Sequence, residues 1–353
     1  MRHRFLATLL LSLAAGVHAA DDSLLTAAER GTAIEAGRDL VRWVAKPAGI
    51  PLDVEATNGA ADNVKKLPGR PGMRLALVQA DVFGASASAH APGALRVVMP
   101  LYDEEVYFVV RADSPLRFVN DIRGSRLNVG PPGSGSAFTA SAIYRAMFGA
   151  PPDAARTTAF SNEQALLKLT NDKSVDVVVV VAGQPSRLFA DMKPQARRYI
   201  KLLAVDPLAP ETLAMAAPYA QGVIRSSVYP RWLGEDVPAF TVQSLLVTSD
   251  PHSARSQESL VRFAESMCEN FRELQAQGHP KWREVVLGQP PLPKGWAYYS
   301  PTRKVLSTCA GAAESRMASM IMAASENNGA RVAAADRCAQ DGKSQQACRA
   351  SAP

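Results

Sequence analysis

The run Arg126-Leu127-Asn128-Val129-Gly130-Pro131-Pro132-Gly133-Ser134-Gly135-Ser136-Ala137-Phe138-Thr139-Ala140 limits the possible folds more than any other part of this chain. Leu127 and Val129 read as strand residues. Gly130 to Gly135 suits neither regular helix nor strand. Apolar residues at Ala137, Ala140, Ile143, Tyr144 and Met147 recur at helical spacing, which predicts a helix reaching Phe148. A strand that turns through glycine and serine into a helix leaves backbone N–H groups and small hydroxyls at the helix start, an anion-binding geometry. No lysine follows the glycines, which excludes a Walker-type nucleotide loop. A carboxylate or small oxyanion is the ligand expected, with Ser134, Gly135 and Ser136 as donors. An ordinary turn whose serines only cap the helix fits the same residues.

The rest of the body alternates strand and helix patterns, so the fold class is α/β with mostly parallel pairing. Thr32 to Ala45 has one apolar face. Leu52 to Thr57 alternates like a strand, and Leu75 to Val78 reads as a buried one. Leu95 to Met99 and Val106 to Val110 read as two further strands; Asp103-Glu104-Glu105 between them fits a metal or acid–base site, but a solvated turn or hinge is the favoured reading. Arg111 to Pro115 is taken as the first crossing between domains. Ser161 and Gln164 form a capping-box pair ahead of a helix. Val175 to Val181 and Phe240 to Thr248 read as strands, and Ser253 to Ala276 as a long helix. Pro207 to Pro238 has no clean period. In such sheets ligands bind beyond the carboxyl ends of the strands. Four strand ends carry suitable residues: Thr57-Asn58-Gly59, Gln79, Gly133 to Ser136, and Ala182-Gly183-Gln184.

Arg2 and Arg4 precede a short apolar core, Phe5 to Ala15, so residues 1–20 read as a secretory signal peptide cut after Ala19 or Ala20. The mature protein is expected to be exported. Cys268, Cys309, Cys338 and Cys348 form no C-x-x-C pair, and in an oxidising compartment they read as disulfides rather than zinc ligands. Three pairings are possible; the expected one joins Cys338 to Cys348 locally and Cys268 to Cys309 across the start of the tail. The formal charge of +6 includes Arg2 and Arg4, and no Lys/Arg run or aromatic–basic interleaving points to nucleic acid.

Enzyme chemistry finds little support. There is no G-x-S-x-G elbow, no H-E-x-x-H and no histidine cluster suited to zinc. His90, His252 and His279 read as exposed loop residues. No catalytic residue, cofactor or metal is expected.

Several segments resemble the TAXI family of solute-binding proteins, which belong to tripartite (TRAP) transporters and have the type II periplasmic-binding-protein fold. They are Thr57-Asn58-Gly59-Ala60-Ala61-Asp62-Asn63, Leu75 to Val82, Gly124 to Gly130 leading into Gly133 to Ser136, Val181 to Pro185, and Val242 to Thr248. The resemblance covers roughly Thr26 to Pro293. It departs at Gly31-Thr32-Ala33, where the family has Gly-Thr-Tyr, and at Ala60, where it often has serine. The resemblance implies a two-lobed α/β fold with a ligand cleft between lobes. Lobe 1 would comprise 21–111 and 238–304 and lobe 2 residues 112–237; the C-terminal extension expected over 305–353, stapled by disulfides, lies outside the resemblance. It implies a periplasmic, monomeric protein that is not an enzyme. Such a protein captures a small anionic solute (a dicarboxylate or an acidic amino acid) and delivers it to the membrane subunits of a TRAP-type transporter. A ligand sensor docking on a membrane receptor is the alternative, and an exported hydrolase a lesser one. The ligand-binding residues expected are Thr32, Thr57, Asn58, Gln79, Ser134, Gly135, Ser136 and Gly183.

Overall fold

The computed structural model describes residues 22–69, 71–86, 94–215, 217–250 and 252–309. Residues 1–20, expected to be a signal peptide, and His90, Cys338 and Cys348 lie outside them.

Ten strands form one sheet: β1 Asp22–Leu25, β2 Leu52–Glu55, β3 Arg74–Gln79, β4 Leu95–Arg111, β5 Leu127–Asn128, β6 Thr157–Thr158, β7 Val177–Ala182, β8 Ile200–Leu202, β9 Tyr219–Ile224 and β10 Val237–Ser249. Their main path runs β2-β1-β3-β10-β4-β7-β5-β6, with β8 beside β4 and β9 beside β10. Pairing is parallel among β2, β1 and β3 and among β7, β5 and β6. Between these groups β4 and β10 run antiparallel to each other and to their flanking strands. Among the described residues the α-helices that frame the sheet are α1 Thr32–Leu40, α2 Ala60–Lys66, α3 Ala80–Ser86, α4 Gly135–Phe148, α5 Asn162–Leu167, α6 Arg187–Ala190, α7 Pro210–Leu213 and α8 Ala254–Gln277.

The two-residue period of the strands sorts side chains between layers. On β4, Val106, Phe108 and Val110 enter one core with Ile143 and Met147 of α4, while Tyr107 and Val109 enter another with Phe189 and Trp232. The run Val177 to Val180 divides the same way, which is why it is apolar at every position. At the other end of the sheet, Leu24, Leu75 and Leu77 pack under α1 and α8, and Leu25, Ala76 and Val78 pack with Phe83 of α3. Each half of the sheet is thus covered on both faces, and β4 and β10 pass through both halves. This is the two-lobed, type II α/β arrangement expected.

Four expectations need correction. Pairing, expected to be mostly parallel, is mixed among the described residues, because β4 and β10 run antiparallel to every strand they pair with. Leu95–Met99 and Val106–Val110 are parts of one continuous strand of 17 residues. Asp103-Glu104-Glu105 is therefore no solvated turn: Glu104 and Glu105 lie buried mid-strand, because β10 and β7 pair with β4 across this stretch. The aperiodic region after Pro207 contains β9, where burial does not alternate: Ala220, Gln221 and Val223 are exposed and Ile224 is buried.

The expected Cys268–Cys309 disulfide is present, with Cα atoms 5.8 Å apart. Residues 300–309 are helical, and both cysteines pack against the core under α8.

Candidate functional site

Five helix starts surround one cavity of about 170 Å³. Residues at the N-termini of α1, α2, α4, α5 and α6 all line it. The first N–H groups of a helix have no carbonyl partner within it, so this arrangement presents donors and positive helix-end charge to the cavity. Of the five, α1 and α4 exceed two turns.

The glycine–serine loop places the start of α4 on the wall. Ser134 is the N-cap, its Oγ accepting from Ala137 N at 3.1 Å. Ser136 Oγ accepts from Val181 N at 3.0 Å. The hydroxyls of both serines keep their own protons for a further acceptor. The capping explanation of this loop is thus correct for Ser134, and it leaves an anion-binding role available. The α2 start closes against this loop: Asp62 N donates to Gly133 O at 3.0 Å. Gly59 has φ +121° there, and a methyl group on it would come within 3.2 Å of Ser134 Cα. Only glycine fits that turn at that approach.

Opposite α4 stands Gln79 at the end of β3, 8% exposed. A Cβ on Gly135 would overlap the Gln79 amide, so the absence of a side chain at Gly135 is what admits Gln79. Gln79 Nε2 donates to Glu104 Oε2 at 2.6 Å, and Gln79 Oε1 is buried without a hydrogen-bond partner. Asn162 Oδ1, also on the cavity wall, is buried without a partner too. Glu104 is 5% exposed, and burial pushes its carboxyl up to about 7, with Glu105 and Asp81 adding to the rise against Gln79 and Lys281.

Next to Glu104 on the same strand, Glu105 is fully provided for. Lys281 Nζ donates to Glu105 Oε1 at 2.6 Å and to Glu284 Oε2 at 2.8 Å, and the Gln184 N and Nε2 groups donate to the Glu105 carboxylate at 2.9 Å each. Lys281 lies in the turn Pro280–Glu284 after α8 and is 1% exposed. Other bonds tie the two halves together around the cavity. Thr32 Oγ1 donates to Gly183 O at 2.9 Å, Glu35 of α1 forms an ion pair with Arg187 of α6, and Arg30 lies 3.6 Å from Asp191. Asp81 Oδ2 accepts from Thr139 Oγ1 at 2.6 Å and Tyr219 OH at 2.9 Å. His279, expected in solvent, is packed between Glu35 and the Pro185 carbonyl. His252, likewise, is half-buried beside Thr248 and Tyr299, and burial pulls its ring down to about 4.

Of the eight residues proposed from sequence, the structure brings Thr32, Asn58, Gln79, Ser134, Gly135 and Ser136 to the cavity wall. Thr57 and Gly183 stand behind it. The Thr57 hydroxyl lies 2.7 Å from Asn63 Oδ1 and 2.9 Å from Thr26 O, joining the ends of β1 and β2. The Gly183 carbonyl serves Thr32, and its lack of a side chain lets Lys281 pass. Ala33 does face the cavity, where the resemblance had led to an aromatic. Sequence reading missed Glu104, Asn162, Glu163 and Ser244 on the wall. The signal for Glu104 was there: a charged pair inside an otherwise strand-like run is either a turn or a buried site.

A family model described as NMT1-like family matches residues 24–290. The chain belongs to the NMT1-like family. The match contains every cavity residue named above and both strands that join the lobes. Solved structures of similar shape include ArtJ, the arginine-, lysine-, histidine-binding protein of Geobacillus stearothermophilus, at 14% identity and TM-score 0.41, covering 74% of this chain and 98% of that one. The periplasmic binding protein BugD is similar at 16% identity and TM-score 0.43, covering 74% and 84%. A TctC solute binding protein from Polaromonas is similar at 16% identity and TM-score 0.38, covering 82% and 96%. No curated protein matches the sequence. Among the described residues of this NMT1-like protein, no group of His, Cys, Asp and Glu could hold a metal, and no helix is long and apolar enough to cross a membrane.

Proposed function

We propose that this NMT1-like protein is a periplasmic solute-binding protein that captures a small anionic organic solute, a dicarboxylate or an acidic amino acid, and hands it to a TRAP-type membrane transporter. The observation that carries the reading is the convergence of helix N-termini, those of α1 and α4 foremost, on one small cavity between the two halves of the sheet. Such a cavity offers an anion N–H donors and positive helix-end charge, with Arg30 on its wall. Ser134, Gly135 and Ser136 hold one end of the solute, with Thr32, Asn58 and Gln79 facing it. Thr57 and Gly183 act one layer back, by fixing the turns that carry Asn58 and Thr32. The lobes 21–111 with 238–304, and 112–237, close on the solute as units, and the protein works as an exported monomer after loss of residues 1–20. TRAP delivery rests on the resemblance to the TAXI family, within which the motifs Thr57 to Asn63 and Gly133 to Ser136 fall.

The test is native mass spectrometry of protein purified without refolding from its export compartment. The expected result is a retained carboxylate of low mass, released on denaturation. A protein of bare mass that also fails to bind any member of a panel of dicarboxylates and acidic amino acids in calorimetry rules the reading out.

A further inference from the structure

The cavity wall holds a polar pair whose two arrangements differ by one proton. Gln79 Nε2 donates to Glu104 Oε2 at 2.6 Å, which turns Gln79 Oε1 toward Gly135 at the start of α4. That oxygen is buried and without a partner, although it faces the N-terminus of α4, whose helix-end charge favours an anion. An anion arriving there meets an acceptor where it needs a donor. Turning the Gln79 amide over about its Cγ–Cδ bond presents Nε2 instead, since an amide carries a donor and an acceptor on nearly the same shape. Gln79 Oε1 then faces Glu104, and that contact is a hydrogen bond only if Glu104 is protonated.

We propose that Glu104 and Gln79 form a proton-set specificity switch, in which the ionised Glu104 makes the cavity accept donor groups and the protonated Glu104 makes it accept carboxylates. The inference rests on the reading of this cavity as an anion site. On binding a carboxylate the protein takes one proton from solvent onto Glu104 Oε2. The new O–H donates to Gln79 Oε1, and Gln79 Nε2 donates to the solute.

The surroundings of Glu104 favour this. Among the described residues no cation lies within ion-pair distance of it, whereas its neighbour Glu105 has Lys281 at 2.6 Å. Lys281 is committed to Glu105 and Glu284. The other titratable groups acting on Glu104 are Glu105 on its own strand and Asp81 at the start of α3, and both oppose its ionisation. The Tyr102 phenol stays protonated, held well above its ordinary range by burial. Glu163 and Arg30 share the cavity wall. Burial accordingly puts the Glu104 carboxyl at about 7, where a bound anion can decide its state.

Two measurements test the switch. In the first, the side-chain amide signals of Gln79 in solute-free protein, identified by their loss in Gln79→Ala, are followed by NMR across pH. They are expected to move in one step near neutrality, and to stay fixed in Glu104→Gln, whose amide can donate to Gln79 Oε1 at every pH. Signals in the wild type that ignore pH between about 5 and 8 overturn the proposal, because Glu104 would then not govern the amide. In the second, succinate and 1,4-diaminobutane, a dianion and a dication of equal length, are titrated calorimetrically in two buffers of different ionisation heat. Succinate is expected to bind with uptake of close to one proton at about pH 8, and to weaken by about tenfold per pH unit above neutrality. In Glu104→Gln both the uptake and the pH dependence vanish. Equal succinate affinity at about pH 6 and about pH 8.5, or preference for the diamine at about pH 6, overturns the proposal. If the Gln79 signals titrate as stated and no carboxylate binds, the switch stands and the anion reading of the site is what fails.

Discussion

Glu104 and Glu105 are consecutive on β4, yet they serve two regions with opposite accounts of their polar groups. Around Glu105 every strong group is matched: the Lys281 ammonium, the Gln184 amide and the Glu284 carboxylate close a network from the turn after α8 to the end of β7. Around Glu104 the matching stops. Gln79 supplies one hydrogen bond, its own oxygen has none, and Asn162 Oδ1 across the cavity has none. Buried polar groups are costly when unpaired, so the contrast separates a region that holds the lobes in register from one whose partner comes from outside. If that division is right, substitutions near Glu105 lower stability, and substitutions near Glu104 change binding and its pH dependence without lowering stability.

The largest effect should come from Lys281→Ala, which leaves Glu105 buried with its counter-charge gone. Breaking a buried pair from one side costs about 3–5 kcal/mol, to be read in chemical denaturation. Adding Glu105→Gln should return part of it, since the stranded charge is then removed as well. A loss no larger than that of an exposed lysine would erase the distinction between the two regions. Removing the Cys268–Cys309 bridge should cost comparably, about 4 kcal/mol for a loop of this length, given its sequence separation of 41. It should leave solute affinity unchanged, because both cysteines pack under α8, away from the cavity wall. A fall in affinity would mean that the closed lobes depend on the tail.

Glu104→Gln should act in the other direction. The Glu104 carboxyl lies above the ordinary glutamate value of 4.5, at about 7 in the folded protein. Its contribution to stability is therefore complete below about pH 4.5 and is lost as pH rises through about 7. The variant should be more stable than the wild type by about 1–3 kcal/mol at about pH 8, with the two converging on acidification. Equal denaturation midpoints at the alkaline end would show that Glu104 ionises without penalty, and the contrast with Glu105 would dissolve.

How much of this was legible in sequence depended on range. The α4 start was readable because every requirement is local: Leu127 for the strand, Gly133 to Ser136 for the turn, and the helical spacing from Ala137. The Ser161–Gln164 capping box was readable for the same reason and is present. Gln79 was reached because a strand end is a local feature too. Glu104 was not. Its environment is made by β3, β10 and α4, which approach it from far along the chain, and an acidic run alone looks like a turn. The histidines failed similarly: Gly278 and Pro280 place His279 in a loop, but only Asp39, Glu35 and Pro185 decide that the loop is packed.

Gly135→Ala tests the cavity side with the smallest possible change. The added methyl falls on the Gln79 amide, so Gln79 must withdraw or the lobes must part. Alanine is a better helix former than glycine, and the stability of the solute-free protein should hardly change. Affinity for a retained carboxylate should fall by about tenfold or more, equivalent to about 1.4 kcal/mol. Unchanged affinity in calorimetry would remove Gln79 from the bound state.

The smallest effect expected is that of Ser134→Ala, and it probes where the two kinds of region meet. Ser134 Oγ accepts the Ala137 N–H as a helix cap, a structural task like that of the Glu105 network. Its proton is left for an acceptor in the cavity, a binding task like that of Gln79. Loss of the cap alone costs about 1 kcal/mol of stability. Ser134→Gly separates the two roles, because glycine is tolerated at an N-cap within a few tenths of a kcal/mol while it too lacks the hydroxyl. The expected pattern is a lowered denaturation midpoint in Ser134→Ala, a nearly normal one in Ser134→Gly, and weakened carboxylate binding in both. If Ser134→Gly binds as the wild type does, the hydroxyl at Ser134 only caps the helix, and the anion is held at α4 by backbone N–H groups and Ser136.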